Sequence, residues 1–163
     1  PAFEQFVSEP RHPGSEEYKD SEKYQLRHWD LNRTDTLREL IASVNRIRRE
    51  NPALQTDQTL QFHPTDNEQM ICYSKQSPDG SNLLVIVVNL DPVHRHAGYI
   101  HLPLSEMGIE QTRPYQVHEL LTGARYIWQG DRNYVELGPH SVPGHIFRVH
   151  KRIRTEREFE YFL

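Results

Sequence analysis

A ten-residue segment near the start of the chain concentrates side chains that can bind a sugar. Residues 21–30 read Ser-Glu-Lys-Tyr-Gln-Leu-Arg-His-Trp-Asp. The flat faces of Tyr24 and Trp29 can stack on a sugar ring, and charged groups such as Lys23 form directional hydrogen bonds with hydroxyls. This composition suits recognition of a hydroxyl-rich ligand, although spacing alone does not distinguish such a site from an ordinary polar loop.

Carboxylates are also abundant in this part of the chain. Glycoside chemistry requires two carboxyl groups held a few ångströms apart across the scissile bond. Sequence positions alone bring no two of these groups together, so a solvated acidic loop is the simpler interpretation. The seven carboxylates of the first thirty residues are Glu4, Glu9, Glu16, Glu17, Asp20, Glu22 and Asp30.

The sequence gives little evidence for a metal site, a phosphate-binding loop or a catalytic nucleophile. The single cysteine, Cys72, excludes a thiolate zinc cage and falls in a predicted strand, where a buried and inert thiol is expected. His94 and His96 could point two imidazoles the same way, but a polar turn between strands explains them more simply. The sequence has no glycine-rich phosphate loop and no nucleophile elbow. We therefore predict no metal site and no bound cofactor.

Composition and charge narrow the class of protein. The 163 residues are enough for one domain with an appendage, and the net charge of −4 argues against a dedicated nucleic-acid binder. The longest apolar run, residues 83–88, is too short to cross a bilayer, and no signal peptide is visible. With one cysteine, these features predict a cytoplasmic protein without a membrane partner. Because the chain begins at Pro1 rather than at a methionine, we expect a piece of a longer polypeptide.

One helix is predicted after a long loop. Residues 8–33 have no sustained periodicity, whereas residues 35–51 have an apolar stripe with helical spacing. Thr36 and Glu39 have the spacing of a capping box, and Asn51-Pro52 ends the helix. The stripe consists of Leu37, Leu40, Ile41, Val44 and Ile47.

From residue 57 the apolar period becomes two, which predicts an antiparallel β-sandwich or barrel. Turn-forming pairs such as Thr122-Gly123 separate the segments, and no helical pattern lies between them. The wholly apolar run 83–88 is expected to be a central strand covered on both faces. The predicted strands are residues 59–63, 69–75, 83–89, 98–102, 115–121, 124–128, 133–137 and 145–150.

The helix stripe needs a surface that covers it. A sandwich of this size could cover it, but the preceding loop would then serve no evident purpose. We therefore favour the alternative, in which loop and helix belong to a larger domain whose beginning is missing.

Several motifs resemble the glycoside hydrolase family 13, the α-amylase-like enzymes. Within that family they are most similar to the α-1,4-glucan:maltose-1-phosphate maltosyltransferases (GlgE), and the likeness runs from Pro1 to about His150. The Ser21–Tyr24 loop is the most discriminating motif, whereas the helix motif is shared by many amylase-like enzymes. The matching segments are residues 1–4, 13–18, 20–24, 27–30, 44–54, 87–92, 120–123 and 145–147.

The resemblance implies a mainly β fold. Residues 57–150 would be an antiparallel β-sandwich, the α-amylase-type domain C, and residues 1–56 the loop after strand eight and the last helix of a (β/α)₈ barrel. Residues 151–163 form a charged tail. The catalytic Asp, Glu and Asp of the family lie on earlier strands, so no catalytic residue is expected here and the chain alone should be inactive.

The same resemblance implies a function for the loop. Its Lys23 and Tyr24 match residues that contact the maltosyl unit in the donor pocket of the maltosyltransferases. The partners would be the rest of the barrel and an α-glucan substrate, which the whole enzyme extends with maltose from maltose 1-phosphate. Whether that enzyme is a homo-oligomer stays open.

Three alternatives stay open. The chain could be a stand-alone carbohydrate-binding sandwich with a platform of Tyr99, Tyr126, Trp128 and Tyr134, although most of these would be expected inside a two-sheet core. It could be a purely structural domain. It could also be domain C of an α-amylase or of a trehalose-forming relative, against which the Ser21–Tyr24 motif argues.

Overall fold

A computed structural model of the chain describes residues 2–20, 26, 28–141 and 143–151. These residues form one α-helix, one 3-10 helix and eight β-strands, mostly in the second half of the chain. The chain divides into two compact units, Pro1–Arg46 and Ile47–Leu163. The predicted division at residue 56 stays a prediction.

The predicted helix forms as α1, Arg38–Glu50, and the 3-10 helix Pro52–Gln55 follows it. The capping-box prediction is wrong, because the carbonyl of Leu37 accepts the first helical hydrogen bond, from Ile41 (2.9 Å). Leu37 is therefore the N-cap residue, and the Thr36 hydroxyl accepts instead from the amide of Arg38 (3.3 Å). The helix ends before Asn51-Pro52, as predicted.

All eight predicted strands are present, with ends that differ from the prediction by at most two residues. Several segments alternate, residues 83–88 are wholly apolar, and the turns between the strands carry glycine or proline. Gly123, for example, adopts φ 81°, a left-handed conformation that favours glycine. The strands are β1 Gln61–His63, β2 Met70–Gln76, β3 Leu83–Asn89, β4 His96–His101, β5 Tyr115–Glu119, β6 Arg125–Trp128, β7 Arg132–Leu137 and β8 Gly144–His150.

The strands make two antiparallel sheets. One has six strands in the order β1-β2-β3-β8-β5-β6, and the other pairs β4 with β7. Buried apolar side chains from both sheets form the main cluster, which includes Val85 and Val117 from the first sheet and Ile100 and Leu137 from the second. This is the predicted β-sandwich, with its core between the sheets.

Strand β3 lies at the centre of the larger sheet, as its unbroken apolar sequence predicts. Val85 and Val87 point into the core between the sheets, and Leu84 and Ile86 point to the opposite face. There they pack with Ala53 of the 3-10 helix, so both faces of the strand are covered.

Candidate functional site

In the first unit, residues 9–19 form a loop closed like a hairpin. Pro10 and Tyr18 make an antiparallel bridge, and the amide of Arg11 donates to the carbonyl of Glu17 (2.8 Å). Gly14, at φ 79°, supplies the reversal at the tip. The predicted loop 8–33 thus has local order without a helix or strand in its described residues.

Gln5 anchors the segments on either side of the undescribed part of the loop. Its side-chain Nε2 donates to the backbone carbonyl of Asp30 (2.8 Å), and its backbone carbonyl accepts from the guanidinium of Arg33 (3.2 Å). Gln5 is only 9% exposed, which is unusual for a polar side chain. These bonds fix the point where the loop returns toward α1.

The two predicted sugar-binding residues, Lys23 and Tyr24, lie outside the described residues, so their role stays a prediction. The loop returns to the described part of the chain at residues 28–30. There His28 and Asp30 are exposed and Trp29 is half-buried.

Two acidic residues in the described part of this loop form surface ion pairs. Glu9 pairs with Lys19 (2.7 Å) and Glu17 with Arg11 (2.9 Å), and all four side chains are more than half exposed. The geometry matches the simpler of the two sequence interpretations, an acidic loop in solvent.

In the second unit, His94 and His96 converge on a carboxylate. His94 Nδ1 lies 2.9 Å and His96 Nε2 lies 3.0 Å from the same oxygen of Asp91, while the other oxygen accepts from the amides of Val93 and His94. The pKa of Asp91 is held well below its usual range, first by the His96 hydrogen bond and then by these amides. The described residues contain no group of three or more metal-binding side chains, and these imidazoles fasten the turn before β4.

A buried carboxylate at the end of β5 was missed by the sequence analysis. Glu119 is fully buried, and its oxygens accept from the amides of Leu121, Thr122 and Ile146 and from the Thr122 hydroxyl. Burial alone would raise the pKa of Glu119, but the nearby His145 and these donors lower it to about 2. The alternation Tyr115, Val117, Glu119 could have indicated its inward position.

His145 lies beside this carboxylate without reaching it. Its Nδ1 is 3.8 Å from Glu119 Oε1, beyond hydrogen-bond distance, and is buried without a partner among the described residues. The ring packs on Phe147, with centroids 5.0 Å apart. This part of the sandwich is a structural polar site at the turn between β5 and β6.

The four candidate platform aromatics lie in different surroundings. Trp128 is 8% exposed and packs in the core, but Tyr99, Tyr126 and Tyr134 are 36%, 46% and 53% exposed. The expectation that most of them lie inside is therefore wrong, because Tyr99 and Tyr134 lie on the open outer face of the β4–β7 sheet and Tyr126 lies on the edge strand β6. Tyr99 and Tyr134 lie directly opposite each other on that face.

Cys72 has the surroundings of an inert thiol, as predicted. It is 1% exposed in β2, and burial raises its pKa to about 12. A thiol with this pKa is protonated at neutral pH and is not a nucleophile.

The architecture matches the C-terminal sandwich of α-amylase-like enzymes. The α-amylase from Geobacillus thermoleovorans superimposes with a TM-score of 0.55 over 78% of this chain and 25% of the amylase, at 14% identity. This likeness shows the fold: a mainly β chain of the α-amylase domain C type, as expected.

Sequence comparison identifies the family within this class. The family described as "GLGE, C-terminal" matches residues 62–149, which is more than half of the chain and runs from β1 to β8. The chain therefore belongs to the GlgE C-terminal family.

Curated relatives extend the similarity beyond the sandwich. Proteins named alpha-1,4-glucan:maltose-1-phosphate maltosyltransferase match from Chlorobaculum tepidum (43% identical, 91% of this chain, 23% of the relative), Myxococcus xanthus (43%, 92%, 22%) and Corynebacterium glutamicum (42%, 96%, 24%). The chain spans less than a quarter of the length of these relatives. Within the described residues, no helix is long and apolar enough to cross a membrane.

Proposed function

We propose that this chain acts as the C-terminal part of an α-glucan-building maltosyltransferase. The whole enzyme would transfer maltose from maltose 1-phosphate to an α-1,4-glucan with retention, through a glycosyl-enzyme intermediate on carboxylates outside this chain. Residues 57–150 would be domain C, and residues 1–56 would complete the catalytic barrel. The single buried cysteine favours a cytoplasmic setting.

The observation that carries this proposal is the extent of the similarity. The family match covers only the sandwich, but the curated maltosyltransferases align over about nine-tenths of the chain. Such an alignment must include much of the loop and of α1, which domain C alone does not contain. The similarity to the maltosyltransferases therefore extends over the loop and the helix as well as the sandwich, which supports assigning all three to one enzyme.

The apolar stripe of α1 gives independent support. Leu40 is 46% and Val44 is 41% exposed, whereas Ile47 is 3% exposed. A helix that leaves two large apolar side chains of its stripe open is expected to pack against further protein. The rest of a catalytic barrel would supply that surface.

Within the loop, the proposed substrate contacts are Lys23 and Tyr24. Lys23 would donate to hydroxyls of the maltosyl unit, and Tyr24 would offer a ring face and a phenolic donor. The bonds of Gln5 to Asp30 and Arg33 join the described segments on either side of these two residues.

The first experiment is the mass of the native polypeptide, followed by an assay of phosphate release from maltose 1-phosphate with glucan acceptor. A barrel of about 250 residues ahead of this chain would at least double its mass. A native polypeptide close to 19.3 kDa that releases no phosphate would contradict the proposal.

The donor contact is tested in the same enzyme by Lys23→Ala. We expect kcat/KM for maltose 1-phosphate to fall about tenfold or more, because a charge-assisted hydrogen bond to the substrate is lost. Lys19→Ala is the matched control, since it removes a lysine four residues away whose ammonium pairs with Glu9 on the surface. Equal activity of the two variants would exclude the Lys23 contact.

A further inference from the structure

The outer face of the β4–β7 sheet carries an aromatic pair that the packing of the sandwich does not use. Tyr99 and Tyr134 are cross-strand partners, with ring centroids 5.6 Å apart and planes inclined at 69°. Their neighbours on the inner face, Ile100 and Val135, already supply the buried contacts of these strands. The two tyrosines therefore form an angled aromatic ledge whose larger exposed part is Tyr134.

Neighbouring charged side chains hold both tyrosine rings of the ledge in place. The Arg132 guanidinium lies over the Tyr99 ring, 3.6 Å from its centroid, and also donates to Asp66 (2.9 Å). Tyr134 donates its hydroxyl to Glu136 (3.3 Å). Because cation–π and hydrogen-bond contacts fix both rings, a ligand would not have to order them on binding.

The charged groups around the ledge neutralise one another. Arg132 and His101 both contact Asp66, at 2.9 and 2.6 Å, and Arg95 pairs with Glu136 at 2.8 Å. The charges of Arg132 and Arg95 are thus offset by those of Asp66 and Glu136. Such a surface has no net charge with which to attract a nucleic acid or a strongly charged peptide, yet it offers many hydrogen-bond donors and acceptors.

We propose that this tyrosine face, formed by Tyr99, Arg132, Tyr134 and Glu136, binds an α-1,4-glucan chain outside the catalytic centre. An apolar sugar face would stack on Tyr134. Hydroxyl groups would accept from the remaining N–H groups of Arg132 and donate to the Glu136 carboxylate. The choice of an α-1,4-glucan among polyhydroxylated ligands rests on the proposed function.

The side chains of the face favour a carbohydrate over a protein partner. Its exposed large apolar side chains are two tyrosines, each with a polar tip, and the flanking cross-strand pairs are Ala97 with Glu136 and His101 with Arg132. The hydrophobic centre expected of a protein interface is not present in this described surface. A site with no net charge, a fixed aromatic ledge and paired donors and acceptors fits a neutral sugar chain.

The test is electrophoresis of the 163-residue chain through native gels with and without soluble glycogen, with maltoheptaose as the competitor. No maltose 1-phosphate is present, so the result does not depend on catalysis. We expect glycogen to retard the chain and maltoheptaose to restore its mobility. Tyr134→Ala should weaken the apparent affinity about fivefold or more, as when a central aromatic contact is truncated.

Tyr126→Ala is the matched control. Tyr126 is similarly exposed but lies on β6 of the other sheet, where its ring contacts Phe147. This variant should keep the wild-type retardation. Tyr134→Phe should also keep most of it, since the ring remains, and circular dichroism melts establish that each variant is folded.

The proposal would be overturned if glycogen does not retard the folded wild-type chain, or if Tyr126→Ala and Tyr134→Ala weaken binding equally. Self-association lost in Tyr134→Ala, without glycogen binding, would assign the face to a second copy of the chain instead. Retention by glycogen together with an enzyme that does not use maltose 1-phosphate would refute the proposed function but leave this site standing.

Discussion

Thr122 donates twice to the same oxygen of Glu119, once from its backbone amide and once from its hydroxyl, each at 2.6 Å. The other carboxylate oxygen accepts from the amides of Leu121 and, on β8, Ile146. One buried side chain therefore ties the turn after β5 to the neighbouring strand. Its hydrogen bonds supply acceptors for three backbone amides, those of Leu121, Thr122 and Ile146.

Replacing Glu119 by Gln should strongly destabilise the sandwich. The amide group has one accepting oxygen, so its NH₂ must face N–H donors that the carboxylate now satisfies. We expect the free energy of unfolding to fall by about 3 kcal/mol, measured by urea unfolding followed by tryptophan fluorescence.

Glu136→Gln provides the control for that change. The Glu136 side chain is 45% exposed and pairs with Arg95 on the surface, so its loss should cost less than about 1 kcal/mol. Similar losses for the two variants would contradict a special role for the buried carboxylate.

The same carboxylate should make stability depend on acid pH. Its pKa is about 2 in the folded chain and near 4.5 when unfolded, so the unfolded state binds the proton first as pH falls. The contribution is complete above pH 4.5 and is lost between pH 4.5 and 2, amounting to about 3 kcal/mol. Urea unfolding of wild type and Glu119→Gln across this range should show their difference narrowing as pH falls. A constant difference would refute the assignment.

The periodicity of the apolar residues and the turn-forming residues were enough to locate α1 and the eight strands of the described residues, because both features are local in sequence. The strand ends were less well predicted. Strand β4 begins at His96 rather than Gly98, since pairing of His96 with Leu137 extends it, and that partner lies forty-one residues away. The N-cap is Leu37 rather than Thr36, because the carbonyl of Leu37 accepts the first helical hydrogen bond, a backbone contact that the side-chain types at these positions do not reveal.

Which face of a strand is covered was harder to predict than the strand itself. Alternation places Tyr99 and Tyr134 on one side, but only the pairing of β4 with β7 as a separate sheet shows that this side is open. Conversely, Glu119 alternates in phase with the buried Tyr115 and Val117, but a charged side chain is normally expected on the surface, so its burial was not predicted. Such features depend on the tertiary partners of each strand.

Cys72 should be protected from thiol reagents. Its burial and a pKa of about 12 leave no accessible thiolate at pH 8. Reaction with 5,5′-dithiobis(2-nitrobenzoate) should therefore be about a thousandfold or more slower than in the chain unfolded in guanidinium, because it must wait for opening. Immediate reaction of one thiol per native chain would contradict this packing.

Tyr115 and Asn133 should be energetically coupled, because their hydrogen bond joins the two sheets. Asn133 Nδ2 donates to the hydroxyl of Tyr115 (2.9 Å), which itself donates to the carbonyl of Gly130 (3.1 Å). Both side chains are buried, so Tyr115→Phe should cost about 1 kcal/mol and a double-mutant cycle with Asn133→Ala should give a coupling of similar size. Tyr126→Phe, on the exposed edge strand, serves as the control and should cost less than about 0.5 kcal/mol. Strict additivity of the Tyr115 and Asn133 changes in urea unfolding would show that this bond does not hold the sheets together.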